Sequence, residues 1–126
     1  VLKLKKLNLN NPAILNYFNF KSYLDKFIKK KTFLVAVSGG PDSLALTALS
    51  KIYSNEKKKK IFFVLVDHGI RANSSKEAKA VKSLLKKKKI NLTILRNKGK
   101  INNNIQSQAR AVRYQLLLNF CNKKKN

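Results

Sequence analysis

A short stretch of serine, glycine and aspartate, Ser38-Gly39-Gly40-Pro41-Asp42-Ser43, has the residue types of a phosphate-binding turn. It lies between an apolar run, Phe33–Val37, and a segment with apolar residues at helical spacing. Glycines let backbone N–H groups approach an anion closely, a helix start adds partial positive charge, and serine hydroxyls can donate to phosphate oxygens. The stretch lacks the lysine of a Walker loop and the spacing of G-x-G-x-x-G. The alternative is an ordinary turn in which Asp42 or Ser43 caps the following helix.

Asp67 and His68 follow a second apolar run, Ile61–Val66. If the two runs are neighbouring parallel strands, Asp42 and Asp67 both fall at the carboxyl ends of strands, where such sheets bind ligands. The chain has only five acidic residues, and a solvated surface gives no reason for two of them to meet there. Each residue also has a plain structural interpretation, Asp67 as a turn residue and His68 as a histidine whose hydrogen bonds hold the loop.

Two arginines occur within one turn of a predicted C-terminal helix. At about 100° per residue, Gln106, Arg110 and Arg113 form one polar stripe at the edge of the apolar face of that helix. Only four of the 29 basic residues in the chain are arginine. Arginine at a place where lysine would supply the charge favours planar, bidentate contact with phosphate or carboxylate. The alternative is a pair of surface arginines.

The segments that would position these residues alternate between strand and helix patterns. Two apolar runs, Phe33–Val37 and Ile61–Val66, and the segment Ile90–Leu95 predict strands, and each is followed by a segment of helical periodicity. This alternation predicts an α/β fold, a parallel sheet with helices on both faces. Ser74 and Glu77 match a capping box at the start of the second of these helices.

The length of 126 residues fits one domain. We expect residues 1–32 to form a basic tail and a lead-in helix, with Asn11 as its cap and Pro12 as its first residue. Residues 33–126 are then the N-terminal portion of an α/β domain. Three strands make a thin sheet against a usual number of about five or six, and no strand follows the last helix, so we expect the domain to be truncated.

Composition restricts the function classes. A formal charge of +24 favours a polyanionic partner, nucleic acid first. Lysine and asparagine excess also arises from an A/T-rich genome, so the charge overstates any single basic site. The single cysteine, Cys121, excludes an internal disulfide and a Cys-rich zinc site and suits a reducing cytosol. No apolar run approaches the ~20 residues that span a bilayer, and we expect a cytoplasmic protein with no membrane partner.

Three motifs in order carry a resemblance to a known superfamily. Ser38–Ser43 matches the S-G-G-x-D-S signature of the PP-loop, or N-type ATP pyrophosphatase, superfamily. Val66–Arg71 is similar to the V-D-H-G-[LI]-R of the lysidine synthases in that superfamily, and Ala109–Tyr114 is similar to their A-R-x-x-R-Y segment. The resemblance covers Phe33 to Cys121, most of the chain.

The resemblance implies a Rossmann-like PP-loop domain that uses ATP and Mg²⁺. It implies that ATP is held by Ser38, Gly39, Gly40, Pro41, Asp42, Ser43, Asp67 and His68. It also implies that Asp42 holds magnesium and that Asp42, Arg110 and Arg113 act in catalysis. In this interpretation a neutral His68 locks its loop or flanks adenine.

The implied reaction makes lysidine in an isoleucine tRNA with the anticodon CAU. ATP adenylates the C2 oxygen of the wobble cytidine, and the amine of free L-lysine then displaces AMP, which changes decoding from AUG to AUA. The alternatives are a tRNA thiolase of the same superfamily, against which the single cysteine argues, and a non-catalytic basic RNA-binding fragment. We expect these 126 residues alone not to make lysidine, because the later strands and tRNA-binding regions of the family are missing from them.

Overall fold

The computed structural model describes residues 12–27, 32–70, 72–99 and 104–124. Helices and strands alternate along the described chain. They are α1 (Pro12–Phe27), β1 (Thr32–Ala36), α2 (Pro41–Lys57), β2 (Lys60–Asp67), α3 (Ser74–Lys87), β3 (Leu92–Arg96) and α4 (Ile105–Lys124). The lead-in helix begins at Pro12, as predicted, because proline at the first helical position loses no helical hydrogen bond. Asn11 and the predicted basic tail lie outside the described residues.

The three strands form one parallel sheet in the order β1-β2-β3. Val35 pairs with Phe63 across the first strand pair, and Leu65 pairs with Ile94 across the second. The parallel α/β prediction is confirmed. The third strand begins at Leu92 rather than at Ile90, because the Ile90 N–H closes the end of α3 by donating to the Leu85 carbonyl at 2.9 Å.

The core lies on one face of the sheet, between the strands and helices α2 and α3. Alternate residues of a strand point to the same face, and here every second strand residue meets the two helices. The buried members are Val35, Val37, Phe63, Leu65, Ala78, Leu85, Ile90 and Leu92. On the opposite face the rings of Phe62 and Phe120 pack edge to face at 5.6 Å, which places α4 there. Helices therefore cover both faces, as predicted.

One local prediction needs correction. The helix α3 begins at Ser74 itself, with Asn73 as its cap, so the capping box placed one residue later is wrong. The Asn73 carbonyl accepts the Glu77 N–H at 2.9 Å. Among the described residues, no helix is both long and apolar enough to cross a bilayer.

An interface between α1 and α2 was not anticipated from the sequence. The Tyr17 hydroxyl, on a residue only 1% exposed, donates to Glu56 Oε2 at 2.6 Å, and the buried Tyr53 hydroxyl donates to Asp25 Oδ1 at 2.7 Å. Lys21 pairs with Glu56 as well. We call these five residues the α1–α2 interface. Their hydrogen bonds fix the lead-in helix against the first crossover helix.

Candidate phosphate-binding site

The loop between β1 and α2 is folded by its own serines. Ser43 Oγ accepts a hydrogen bond from the Ser38 N–H at 2.7 Å, and Ser38 Oγ accepts a longer one from the Gly40 N–H at 3.4 Å. Gly40 is the cap of α2, with no side-chain capping bond, and Pro41 is the first helical residue. The alternative in which Asp42 or Ser43 caps the helix is therefore wrong. Ser43 instead holds the loop closed from one turn inside the helix.

The first glycine of the loop has no room for a side chain. Gly39 has a φ of +90°, and a Cβ at that position would lie 2.9 Å from Val81 Cγ2 of α3. Gly40 is different, because among the described residues a Cβ at that position would meet Ser38 Oγ alone, at 3.8 Å. Gly39 is thus required by the left-handed turn and by close packing against α3. Within the described chain the Gly39 N–H has no hydrogen-bond partner, which leaves a donor at the loop for an anion.

The loop after β2 is held in place by backbone hydrogen bonds. Asp67, 7% exposed, accepts the Gly69 N–H at 3.1 Å through Oδ1, and His68 Nδ1 accepts the Ile70 N–H at 3.3 Å. Asp67 therefore acts as a turn residue, and His68 holds its loop through a hydrogen bond, as the structural interpretations of the two residues expected. Asn97, after β3, donates from its backbone N–H to the Asp67 carbonyl at 3.0 Å. Arg71, at the end of this motif, lies outside the described residues.

The two loops open into one small cavity at the carboxyl edge of the sheet. Its volume is about 80 Å³, and its polar lining consists of Ser38, Asp67, His68, Ser74 and Glu77. A larger cavity of about 580 Å³ lies between α2 and α3, around Leu44, Ile52 and Leu84. It contains none of the predicted site residues. The smaller cavity is the candidate site, because it joins the two loops that the sequence singled out.

Of the predicted site residues, all of which the structure describes, Ser38, Asp67 and His68 line this cavity, whereas Gly39, Gly40 and Ser43 do not. Asp42 and Pro41 are exposed in the first turn of α2. Arg110 and Arg113 are exposed on α4, where the Arg110 guanidinium lies 5.5 Å from the centre of the Tyr114 ring. The polar stripe that was predicted at the edge of the apolar face of α4 is exposed. The roles of these residues in binding and catalysis stay predictions.

Sequence reasoning missed Arg96 and Asn97 at the end of β3. Arg96 is the register partner of Asp67, and its Nη1 donates to Ser75 Oγ at 3.0 Å. The Asn97 side chain reaches the His68 carbonyl at 3.5 Å. An arginine at the end of a predicted strand, in a chain that otherwise uses lysine, is the signal that could have found this position.

The acidic residues near the site offer few ligands to a divalent cation. In the described part of the chain no three His, Cys, Asp or Glu side chains are grouped. The carboxylate of Asp42 has no hydrogen bond or ion pair there. Magnesium is commonly bound by one or two carboxylates together with substrate phosphates. A single free carboxylate next to a phosphate-binding loop fits that mode and does not fit an all-protein metal cage.

A parallel sheet with a serine- and glycine-rich loop at the start of its first crossover helix defines a Rossmann-like nucleotide-binding class. A family model described as a PP-loop domain matches residues 15–126. The chain belongs to the PP-loop domain family. This confirms the resemblance carried by Ser38–Ser43.

Several curated relatives are similar to the chain, and each is named tRNA(Ile)-lysidine synthase. The protein of Orientia tsutsugamushi (strain Boryong) is 38% identical over 108 residues, which is 84% of this chain and 24% of the relative. That of Rickettsia typhi is 38% identical over 90 residues, covering 69% and 20%. That of Rhodopseudomonas palustris is 42% identical over 87 residues, covering 67% and 25%. The chain thus spans a quarter or less of the length of these relatives.

Proposed function

We propose that this chain supplies the ATP-binding part of a tRNA(Ile)-lysidine synthase. The observation that carries the proposal is that Ser38, at the start of the Ser38–Ser43 loop, lines one cavity together with Asp67 and His68, in a chain of the PP-loop family. The names of the relatives support the choice of this activity within that family. The reaction joins free L-lysine to the wobble cytidine of tRNA(Ile), in the cytoplasm.

The phosphates of ATP bind at the loop between β1 and α2. The Gly39 N–H and the weakly bonded Gly40 N–H donate to phosphate oxygens, and the start of α2 adds partial positive charge. Ser38 and Ser43 shape the loop through their mutual hydrogen bond and present hydroxyls at its rim. Asp67 and His68 form the neighbouring wall, where His68 keeps its loop rigid beside the adenosine.

Asp42 has a role beyond the stabilisation of helix α2. A carboxylate in the first turn of α2 interacts favourably with the helix dipole, yet it repels an anionic phosphate at the same helix start. A cation between them removes this conflict, and Asp42 is the residue that would hold Mg²⁺. The ion supplies charge neutralisation of the phosphates.

The chemistry needs no covalent nucleophile from the protein. The C2 oxygen of cytidine bonds to the α-phosphorus of ATP, and pyrophosphate leaves. The lysine amine then bonds to C2, loses a proton, and AMP departs with the former C2 oxygen. The chain contributes positioning and charge stabilisation, with Arg110 and Arg113 contacting a phosphate or the lysine carboxylate.

A non-catalytic RNA-binding function is the second candidate, and the formal charge of +24 favours it. The thiolase alternative is weaker, because the chain has one cysteine, Cys121, and it is exposed on α4. Catalysis and simple RNA binding differ in their dependence on the phosphate loop. Only the former requires Asp42.

The test is lysine incorporation by a chimera in which this chain replaces the matching segment of the Orientia relative. The substrate is a tRNA with a CAU anticodon, and the readout is labelled lysine in the RNA. We expect incorporation by the parent chimera, its loss in Asp42→Asn, and its retention in the matched carboxylate control Asp25→Asn. A chimera that melts cooperatively but incorporates no lysine, or an Asp42→Asn chimera as active as the parent, contradicts the proposal.

A further inference from the structure

Arg96 lies on the same side of the sheet as the candidate site. Leu92 and Ile94, the alternate residues before it in β3, pack into the core between the sheet and α3. Arg96 continues that row one step past the core. Its register partner is Asp67, which lines the cavity. Arg96 does not itself line the cavity, but its strand position places it next to the wall that Asp67 forms, on the side away from the Ser38–Ser43 loop.

The guanidinium is oriented but its charge is not neutralised. Its Nη1 donates to Ser75 Oγ at 3.0 Å. Within the described chain Arg96 has no ion pair, although Asp67 is its neighbour in the sheet. The remaining N–H groups of Arg96 stay available, and the Ser75 hydroxyl hydrogen can donate in the same direction. The guanidinium N–H groups and the Ser75 hydroxyl thus provide two kinds of hydrogen-bond donor at one exposed position.

The backbone on both sides of Arg96 is held in place. On one side it belongs to the sheet, and on the other the Asn97 N–H donates to the Asp67 carbonyl at 3.0 Å. The Asn97 side chain and the Gly99 backbone exchange two hydrogen bonds, of 3.0 and 3.2 Å. A guanidinium carried by a fixed strand end loses less freedom on binding a ligand than one on a mobile loop.

The choice of arginine also points to a ligand. The chain has four arginines among 29 basic residues, so compositional bias toward lysine does not explain this one. A planar fork binds phosphate oxygens through two parallel hydrogen bonds, which lysine cannot do.

We propose that Arg96 and Ser75 bind a phosphate group at a subsite separate from the Ser38–Ser43 loop. The strands β1 and β3 are two strand spacings apart, about 10 Å, so one phosphate cannot occupy both places. The phosphate comes either from the part of ATP nearest the adenosine or from the RNA backbone. The inference rests on the proposed function for the identity of these two ligands.

The experiment measures three ligands against the full chain: pyrophosphate and ATP by calorimetry with Mg²⁺, and an RNA stem-loop with a CAU anticodon by fluorescence anisotropy. The variants are Arg96→Gln, Arg96→Lys and Ser75→Ala, with Lys76→Gln as the control that removes an exposed charge from the next residue along α3. We expect Arg96→Gln to weaken the binding of either ATP or RNA about fivefold or more. The affinities of Arg96→Lys and Ser75→Ala should lie between those of Arg96→Gln and the parent. Lys76→Gln stays within about twofold of the parent.

A structural role does not reproduce the full pattern. If the phosphate belongs to RNA, Arg96→Gln also lowers the slope of log affinity against log salt by about 0.7 to 0.9, one released counterion, while ATP binding is unchanged. If it belongs to ATP, ATP binding weakens and pyrophosphate binding does not. Either result supports the inference.

Three results overturn separate parts of these assignments. If Arg96→Gln binds both ATP and RNA with the same affinity as Lys76→Gln, the inference is wrong. Weaker pyrophosphate binding in Arg96→Gln places the residue in the first loop's site and overturns the separate subsite. A parent chain that does not bind pyrophosphate overturns the proposed function, while the RNA measurement still decides the role of Arg96.

Discussion

The α1–α2 interface and the carboxyl edge of the sheet each contain two of the chain's five acidic residues and use them in opposite ways. Asp25 and Glu56 each accept a tyrosine hydroxyl and lie within ion-pair distance of a lysine. Asp42 has no such partner among the described residues, and the contact described for Asp67 is a backbone N–H. In a chain with 29 basic residues, a carboxylate without a cation in the first turn of α2 is more informative than one in an ion pair.

The pKa values follow this division. The hydrogen bond from Tyr53 holds the pKa of Asp25 below its usual value, and the hydrogen bond from Lys21 does the same for the pKa of Glu56. Burial raises the pKa of Tyr53 from 10.0 to about 12, and burial raises that of Tyr17 further. In the folded chain the interface therefore favours charged carboxylates and neutral tyrosine hydroxyls, and this preference contributes to stability.

The largest effect should come from Gly39→Val. A β-branched residue in the left-handed region and a close contact with Val81 together cost about 2–5 kcal/mol of unfolding free energy, and phosphate binding is lost. Gly40→Ala is the matched control, with a cost of about 1 kcal/mol or less at a cap position. Urea unfolding measures both. Equal midpoints for the two variants would show that the turn does not require glycine.

The next largest effect should come from Tyr53→Phe, which should change stability without changing pyrophosphate binding. It removes a charge-assisted hydrogen bond from a buried hydroxyl, which costs about 1–3 kcal/mol, while binding of pyrophosphate with Mg²⁺ stays at the parent value. Asp42→Asn should do the reverse, because among the described residues its carboxylate has no hydrogen bond or ion pair to lose. Urea unfolding and calorimetry on the same samples check this. A Tyr53→Phe chain that binds pyrophosphate more weakly at a temperature where it is folded would show that the regions are coupled.

The pH dependence of stability should come from the interface. A carboxylate with a lowered folded pKa contributes stability above its unfolded pKa, about 4, and the contribution disappears as pH falls. A tyrosine with a raised folded pKa contributes below its unfolded value, about 10, and the contribution disappears as pH rises toward about 12. The difference in unfolding free energy between the parent and Tyr53→Phe should therefore shrink above about pH 10. A difference that stays constant from neutral pH to about pH 11.5 would contradict the assignment.

The smallest effect should come from Arg110→Lys and Arg113→Lys. Both side chains are exposed on α4, so the charge-preserving change leaves stability unchanged. Lysine incorporation in the chimera should fall severalfold, because lysine cannot reproduce the planar fork. A variant as active as the parent would show that the arginine at that position is an ordinary surface residue with no role in the reaction.

The strands and the two loops were predictable because local and global signals agree there. Phe33–Val37 and Ile61–Val66 are continuous apolar runs, as strands covered on both faces require, and the topology then brings their carboxyl ends together. The Tyr17 and Tyr53 bonds were not predictable, since their partners lie 39 and 28 residues away in sequence. Arg96 was missed for the same reason, because Ser75 is 21 residues away.

The magnesium dependence of pyrophosphate binding tests the role of the Ser38–Ser43 loop most directly. Calorimetry on the parent, Asp42→Asn and Asp25→Asn chains measures it. We predict that Mg²⁺ tightens binding to the parent and to Asp25→Asn about tenfold or more, and that Asp42→Asn binds pyrophosphate with no gain from Mg²⁺. An equal gain from Mg²⁺ in all three chains would contradict the assignment of Asp42 and of the loop that it serves.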